Sequence, residues 1–433
     1  MAMDGKELVE KLAKLSQVQS IKDIPQLTHA LFPGTHCPLM GAAMAVGGIK
    51  DSLIVVVGTD ECTYYTKSMT IHSEKFGGID GRCVSVVLDD HDVTFGSAEK
   101  VQEAFKEIIE EYRPQCVFLV TTCVIEIIGD DFDAISEGLS KLYGIPVLPV
   151  HTEHFKCEDH LPGLERTITV CAEMMKSCDS DNSVNLLGQR MGDFATTELY
   201  AMLQKAGVKI GLQLPCGCSV DDIKNAAAAK VNIVVNDIAL PLAQKMQEKF
   251  GIPYVYFNKF VIPEKIYEAY KNLFGYLELE LPEELEGLYQ NAREEIEKNK
   301  GELEGITYIY GNTPYAVFEM NCFLSSLGMV PQVIQTNRYT EADEPYAKEI
   351  LQYTDPYVCK AANIAPLQYV YDILSPYLYL GHEFGNRLRQ KGIAIVHSDR
   401  ASGMLGFEVT GYLLQQLVKS VREAKEYRKE LGL

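Results

Sequence analysis

Three cysteines stand out because each lies where a thiolate could be presented to a metal cluster. We expect Cys37, Cys62 and Cys123 in loops or at strand ends beside Gly or Pro, where an irregular backbone presents sulfur and N–H groups together. Iron–sulfur clusters are bound by such thiolates, and amide donors tune their sulfur atoms. Free cysteine also serves as a small buried hydrophobe, and these three form no compact Cys-x-x-Cys pair. An iron–sulfur site is therefore a hypothesis that competes with simple core packing.

Cys123 has the most informative surroundings. It follows an apolar run at residues 116–120, which is typical of a buried parallel strand, and it precedes a Gly-Asp-Asp turn at residues 129–131. Open α/β sheets bind ligands at the edge where their strands end. Cys123 is thus expected at such an edge, with Glu126 and Asp130 ordering the turn.

Two histidines and two further cysteines are additional candidates. His154 and His397 are possible proton donors, because imidazole titrates near neutral pH, although either could equally be structural. Cys216 and Cys218 flank a glycine after an apolar run. This short motif fits a metal or redox pair and a tight turn equally well.

The elements that must position these residues alternate between strands and helices. Apolar runs predict strands at residues 53–57, 84–88, 116–120 and 147–150, with helices between them. A strand–Gly–helix rhythm appears three times and predicts an α/β fold of three Rossmann-like, doubly wound domains with parallel sheets. The expected domains are a cluster-binding domain at 1–180, a second α/β domain at 181–300 and a third, with a C-terminal helix, at 301–433.

Composition limits the classes of function. The chain has 433 residues and a net charge of -20, so it offers no excess of basic side chains to neutralise nucleic-acid phosphates. No apolar run is long enough to span a bilayer, and the charged, helical start does not resemble a signal peptide. Twelve cysteines without a secretory signal indicate a reducing cytoplasm, where thiols stay free or bind metal. We therefore expect a cytoplasmic protein that binds neither nucleic acid nor membrane.

Taken together, the three cysteine contexts resemble the catalytic component of nitrogenase and its relatives. That superfamily includes the subunits of the molybdenum–iron protein, the scaffold for cofactor assembly, dark-operative protochlorophyllide reductase and the reductive cyclase of the methanogen nickel tetrapyrrole. The resemblance covers nearly the whole chain. It rests on the segments 37–42 (Cys-Pro-Leu-Met-Gly-Ala), 58–65 (Gly-Thr-Asp-Glu-Cys-Thr-Tyr-Tyr) and 122–131 (Thr-Cys-Val-Ile-Glu-Ile-Ile-Gly-Asp-Asp).

The resemblance implies roles for these segments. Cys37, Cys62 and Cys123 would be ligands of a [4Fe–4S] or [8Fe–7S] cluster at a subunit interface, with the backbones of Gly58 and Gly129 close to the inorganic core. A cubane then lacks one ligand, which a partner chain or a non-cysteine group must supply. The resemblance thus implies a homo- or heterodimer with a homologous chain. It also implies a separate ATP-dependent [4Fe–4S] reductase that donates electrons for a nitrogenase-like reduction.

Departures from the family pattern bear on the substrate. In nitrogenase α subunits a cysteine of the second domain holds the active-site cofactor, whereas residues 234–237 here contain none. His397 resembles the position of the histidine ligand, and His154 resembles a position near the cluster where an auxiliary ligand could lie. This pattern argues against dinitrogen as the substrate. The alternatives are a homodimeric tetrapyrrole reductase or cyclase, and a non-enzymatic scaffold for metallocluster assembly; either could hold a second metallocluster or a tetrapyrrole.

Overall fold

The computed structural model describes residues 5–27, 36–71, 79, 81–157, 159–190, 192–311, 313, 316–360 and 364–433. Residues 34 and 35, which precede the first cysteine motif, lie outside this set. The strands of the described residues are β1 Ala13–Lys14, β2 Ile49–Lys50, β3 Ser52–Gly58, β4 Cys83–Val87, β5 Cys116–Thr121, β6 Val147–Val150, β7 Val184–Gln189, β8 Ile210–Pro215, β9 Cys218–Ser219, β10 Val231–Val234, β11 Tyr254–Tyr256, β12 Thr307–Tyr310, β13 Val330–Gln335, β14 Tyr357–Cys359, β15 Leu378–Leu380 and β16 Ala394–Val396.

Helices connect most of these strands. Those of the described residues are α1 Gly5–Glu10, α2 Pro38–Gly47, α3 Asp60–Ile71, α4 Asp90–Phe95, α5 Ala98–Tyr112, α6 Cys123–Ile128, α7 Phe132–Tyr143, α8 Leu161–Val170, α9 Glu198–Lys205, α10 Val220–Lys224, α11 Leu240–Phe250, α12 Pro263–Leu277, α13 Glu284–Leu303, α14 Val317–Ser326, α15 Glu344–Ile350, α16 Ile364–Leu374, α17 Gly385–Arg389 and α18 Glu408–Leu431. Within this part of the chain, no helix is both long and apolar enough to cross a lipid bilayer.

The first two large sheets share one strand order. The first runs β4-β3-β5-β6 and the second runs β8-β7-β10-β11, with every pair parallel. Counted along the chain within each sheet, both orders are 2-1-3-4. The order reverses between β3 and β5, and again between β7 and β10. Ligands of open α/β sheets bind at such reversal points, outside the carboxyl ends of the strands.

The third sheet has a different order, β1-β14-β13-β12-β15-β16, and is parallel except at β1. Its reversal point lies between β12 and β15. β1 pairs antiparallel with β14, so residues near the amino terminus complete a sheet formed mainly by the last third of the chain. The Nζ of Lys14 donates a hydrogen bond of 2.8 Å to the carbonyl of Asp355, and Ser16 N donates one of 3.0 Å to the Asp355 carboxylate.

Buried apolar side chains fill both faces of each large sheet. One cluster is continuous between the first and second sheets, since it contains Ile54 and Phe118 from one and Leu212 and Val234 from the other. A separate cluster covers the third sheet and the inner face of α18. The predicted α/β fold of three Rossmann-like units with parallel sheets is confirmed, while the domain limits at residues 180 and 300 stay predictions.

Candidate functional site

The ends of β3, β5 and β6 bring the predicted site residues toward one edge of the first sheet. Val57 pairs with Thr121, and Val120 pairs with Val150, so the segments that follow these strands start side by side. Gly58 must be glycine here. A Cβ on it would lie 2.0 Å from Thr122 Oγ1, directly before Cys123.

Cys62 lies on α3, which begins immediately after β3. The expectation of a loop at this position was wrong, because the chain turns directly into a helix whose first turn carries Asp60 and Glu61, where acidic groups complement the helix dipole. The Cys62 thiol is half-buried, and Thr59 Oγ1 lies 3.5 Å from its sulfur as a hydrogen-bond donor. A sulfur with one hydroxyl donor and partial exposure retains room for a further ligand.

Cys123 is the first residue of α6, so its expected loop is also a helix start. Thr122 is the N-cap residue, and Cys123 is half-buried. The backbone N–H of His154 donates to Cys123 Sγ across 3.4 Å. His154 itself opens a 3-10 turn, His154–Lys156, and its side chain is exposed.

Cys37 caps the amino end of α2, ahead of Pro38. This helix packs against α8 so closely that a Cβ on Gly163 would lie 1.8 Å from the carbonyl oxygen of Pro38. Because α2 packs on β3 and β5 and leads back to β3, its amino end points toward the edge where those strands end. Cys37 is half-buried, like the other two cysteines.

Hydrogen bonds fix the segment between Cys123 and His154. Glu126 accepts a hydrogen bond from Thr121 and lies 2.8 Å from His151 Nδ1. Arg166 donates to the carbonyl of His151 across 2.7 Å. Asp130 accepts hydrogen bonds of 2.7 and 2.6 Å from the backbone and hydroxyl of Ser97. Both carboxylates therefore order the turn, as expected.

Gly129 ends α6 with a φ of +84°, the left-handed conformation that favours glycine at a helix end. Position 129 thus favours glycine because of its backbone conformation at the helix end, whereas position 58 requires glycine because Thr122 lies too close for a side chain. Among the residues that the structure describes, no three His, Cys, Asp or Glu side chains converge closely enough to hold a metal ion.

Other cysteines have a different environment. Burial raises the pKa of Cys116 and of Cys218 to about 12, so both stay protonated and inert at neutral pH. Cys216 donates a hydrogen bond of 3.1 Å to the carbonyl of Arg190. The Cys216–Cys218 segment forms a turn that packs on Gly48, where an added Cβ would lie 2.1 Å from the Pro215 carbonyl oxygen. These contacts favour the tight-turn interpretation.

Large apolar side chains are unusually exposed around the first edge. They belong to the segments that follow each of the four strands of the first sheet, and several lie within a few residues of Cys62, Cys123 or His154. They are Tyr64, Tyr65, Phe95, Ile127 and Phe155, with exposed fractions from 56% for Phe155 to 76% for Phe95. We call these five the apolar rim.

The edge of the second sheet carries charged groups that the sequence analysis did not select. Arg190 follows β7, Asp237 follows β10, and Lys259 lies three residues beyond β11. Asp237 accepts hydrogen bonds from the Tyr256 hydroxyl and from Asn258, the latter at 3.1 Å. A charged residue placed directly after a buried apolar strand is the signal that would have found Arg190.

His397 lies at the edge of the third sheet, after β16, with an exposed side chain. Its carbonyl accepts a hydrogen bond of 3.1 Å from Tyr412. On α14, Glu319 is buried, and burial raises its pKa to about 7. Its Oε1 has no hydrogen-bond partner among the described residues. The structure thus places His154 and His397 at the edges of different sheets.

Comparison with known proteins identifies the family. A family model for nitrogenase component 1 type oxidoreductases matches residues 37–422. The protein NifE of Clostridium pasteurianum, named for biosynthesis of the nitrogenase iron–molybdenum cofactor, is 31% identical over 224 residues, 51% of this chain and 49% of that protein. The nitrogenase molybdenum–iron protein alpha chain of Methanosarcina barkeri is 24% identical over 330 residues, 72% of this chain and 62% of its own. The chain therefore spans about half to two thirds of these relatives' lengths.

A solved structure agrees in fold. The structure "Nitrogenase Cp1 at pH 6.5" superposes with a TM-score of 0.78, covering 94% of this chain and 96% of its own, at 15% identity. The family match runs from the first candidate cysteine almost to the end of α18. The chain belongs to the nitrogenase component 1 type oxidoreductases.

Proposed function

We propose that this chain is the catalytic-component subunit of a nitrogenase-like two-component reductase. Cys37, Cys62 and Cys123 would hold an iron–sulfur cluster at an interface with a homologous chain. The observation that carries this proposal is the position of Cys62 and Cys123, on helices that follow the two strands flanking the reversal point of the first sheet.

The donor set fits a cluster. Each iron of a cluster takes its own terminal thiolate, so the cysteines need not converge on one point as the ligands of a single ion do. Thr59 and the His154 amide donate to two of the three sulfur atoms, and such hydrogen bonds tune cluster ligands. When bound, a cluster of this kind supplies low-potential, one-electron transfer.

A second copy of this chain is the partner that we propose. Three thiolates leave a cubane one ligand short, and the apolar rim lies around the same edge. Exposed large apolar side chains near one sheet edge are typical of interaction surfaces, so one contact between copies would cover the rim and complete the ligand set. A symmetric pair would bring six cysteines to the interface, enough for either cluster type.

Electrons would come from a separate ATP-dependent iron–sulfur reductase, and a net charge of -20 suits a docking partner with a basic face. The substrate would bind among the sheet edges. His154, exposed beside Cys123, and His397, exposed at the third edge, would supply protons. Glu126 and Arg166 would hold the segment of His151 through His154 in register.

The first experiment is anaerobic purification followed by iron and sulfide analysis, EPR and light scattering. The proposal expects iron and acid-labile sulfide in similar amounts, an EPR signal on reduction with dithionite, and a dimer. Iron-free protein that also fails to take up iron and sulfide on reconstitution would contradict it. Iron in a complex with a different chain would correct the partner to a heterologous one.

A scaffold for metallocluster assembly is the second candidate, favoured by one observation. At the reversal point of the second sheet stands Asn236, whose side chain accepts a hydrogen bond from Ile238 N at 3.2 Å and caps the next turn. Nitrogenase α subunits would have a cysteine in this region. The similarity to NifE proteins points the same way.

Turnover separates the candidates. The purified protein is combined with its reductase, ATP and a tetrapyrrole such as protochlorophyllide or a nickel sirohydrochlorin. Product formation supports the reductase and fixes the substrate class. Transfer of bound iron to a cofactor-free acceptor protein, with no substrate reduced, supports the scaffold.

A further inference from the structure

Two cations lie at the carboxyl edge of the second sheet. Arg190 follows β7, one of the two strands at the reversal point, and Lys259 lies three residues beyond β11. The reversal point of an open α/β sheet is where a ligand is expected. Gly192, two residues after Arg190, packs against Gly403, and the neighbouring Ser402 carbonyl accepts a hydrogen bond from Lys259, so both cations lie beside the segment 402–403.

Neither cation has a full counter-charge. Lys259 is only 8% exposed, and its Nζ donates to the neutral carbonyl of Ser402. Nη1 of Arg190 lies 3.5 Å from His160 Nε2. Burial and the charge of Arg190 lower the pKa of His160 to about 4, so this imidazole is neutral. Asp159 acts on Arg190 from a distance, and within the described part of the chain no carboxylate forms an ion pair with either cation.

The acidic groups nearby are otherwise engaged. Asp237 on the neighbouring strand end accepts hydrogen bonds from Tyr256 and Asn258. Glu319, with its pKa raised to about 7, is largely uncharged below neutral pH. Burying a charge is unfavourable unless a ligand or partner compensates it. Among the described residues, no carboxylate is hydrogen-bonded to either member of the pair.

We propose that Arg190 and Lys259 form a subsite that binds one oxyanion group, a carboxylate or a phosphate, of the molecule held at this edge. The proposal rests on the proposed function only in that a ligand binds among the sheet edges. Arginine offers a planar fork that matches the two oxygens of such a group, and lysine adds a point charge. Arg190 is half-buried, so the subsite has a route to solvent.

The test uses the full-length protein and isothermal titration calorimetry at constant ionic strength, at pH 7. Malonate and inorganic phosphate are titrated separately, with chloride as the ionic control. We expect saturable 1:1 binding of one or both oxyanions. The stronger of the two identifies the source as a carboxylate or a phosphate.

Variants assign the binding to the pair. Lys259→Met and Arg190→Met should each weaken binding roughly 10- to 100-fold, because each removes a charge-assisted hydrogen bond. Lys259→Arg should retain binding within about tenfold. The matched control is Lys209→Met, which removes an exposed cation on the second unit and should leave the affinity unchanged.

Three results would overturn the proposal: no saturable binding of either anion, binding that survives both methionine substitutions, or equal weakening by Lys209→Met. Thermal unfolding provides a second readout if a variant is unstable. The oxyanion should raise the melting temperature of the wild type more than chloride does. If Lys259 had only a structural role, the oxyanion and chloride would give the same melting temperature. Iron content is measured in parallel. Anion binding without iron would defeat the proposed cluster but not this subsite, and the reverse result would defeat this subsite alone.

Discussion

The first and second sheets share one strand order, yet their carboxyl edges carry different chemistry. At the first edge, Cys62 and Cys123 are half-buried, accept hydrogen bonds at sulfur and lie beside the apolar rim. At the second edge, Cys218 is buried and protonated, and the distinctive groups are the cations Arg190 and Lys259. Topology thus supplies a place for a ligand, and the residues just beyond each strand decide which ligand it suits.

A glycine beside the reversal point is common to both edges. The Cβ of an alanine at position 58 would meet Thr122 Oγ1 at 2.0 Å, and one at position 188 would meet Asn236 Cβ at 2.9 Å. In each case the end of the first strand packs directly on the residue that opens the next segment across the reversal point. What differs is that residue: Thr122 precedes a cysteine, and Asn236 precedes an aspartate.

The largest effect is expected from replacing a cluster ligand. Cys123→Ser should abolish the bound iron and the EPR signal of anaerobically purified protein, because serine is a poor replacement for a thiolate ligand. The circular dichroism spectrum should not change. Iron analysis and EPR provide the measurement.

Cys171→Ser is the matched control, since Cys171 is fully buried in the core shared by the first two sheets. It should lower stability while iron per folded chain stays constant. Equal iron loss in both variants would show that cysteine burial, rather than ligation, explains the result.

The glycines test whether the two edges differ in function. Gly58→Ala must displace Thr122, so it should destabilise the protein by about 1–3 kcal/mol and reduce bound iron. Gly188→Ala, at a φ of +96°, should cost a comparable free energy of unfolding without iron loss. Urea unfolding and iron analysis measure the two effects, and iron loss in Gly188→Ala alone would reverse the assignment of the edges.

The pH dependence of anion binding at the second edge gives a smaller effect. Burial, followed by the charge of Arg190, lowers the pKa of Lys259 to about 8. Lys259 therefore loses its proton as pH rises through 8, and oxyanion affinity should fall about tenfold between pH 7 and pH 9. Burial raises the pKa of Cys216, so this thiol contributes little across that range.

The measurement is calorimetric titration with malonate at both pH values. Lys259→Arg should remove the pH dependence, because arginine stays charged throughout. A wild-type affinity that is constant from pH 7 to pH 9 would contradict the role of Lys259.

The last expected effect concerns stability in mild acid. The pKa of His160 is lowered to about 4, so an unfolded chain takes up this proton near pH 6.5 while the folded chain does not. The stability associated with neutral His160 is present above pH 6.5 and is lost as pH falls toward 4. Urea unfolding should show that His160→Gln removes at most about 2 kcal/mol of the loss between pH 7 and pH 5.

Glu319→Gln is a control in which the expected pH dependence of stability has the opposite sign. Burial raises the pKa of Glu319 to about 7, so its contribution is full below the unfolded pKa, near 4.5, and is lost as pH rises to 7. The glutamine variant should therefore become relatively more stable toward neutral pH. The same slope in both variants would indicate that other groups control the acid range.

The sequence predicts those strands and helices whose positions depend on local residue patterns. Apolar runs identify β3, β4, β5 and β6 within a residue or two, and the strand before Cys123 locates the edge. Cys62 was misplaced in a loop because the short turn after Gly58 hides a helix whose start is marked by Asp60 and Glu61. That start could have been recognised from its acidic first turn.

The sequence does not show which residues far apart along the chain come together in the fold. The charge directly after β7 marks Arg190, but Lys259 is 69 positions away, and no local pattern shows that the two lie beside the same segment. Their burial depends on Ser402 and on the packing of three units, which no local pattern encodes. The pairing of residues 13–14 with 357–358 is invisible for the same reason.

That terminal pairing has a consequence for biosynthesis. Lys14 and Asp355 are separated by 341 positions, so the opening segment leaves the ribosome long before its partner strand exists. Leu8, Leu12 and Leu15, buried in the finished molecule, must meanwhile stay in water or in contact with a chaperone. A nascent polypeptide arrested before residue 357 would lack the β14 partner of β1 and would leave these leucines without part of the core that covers them.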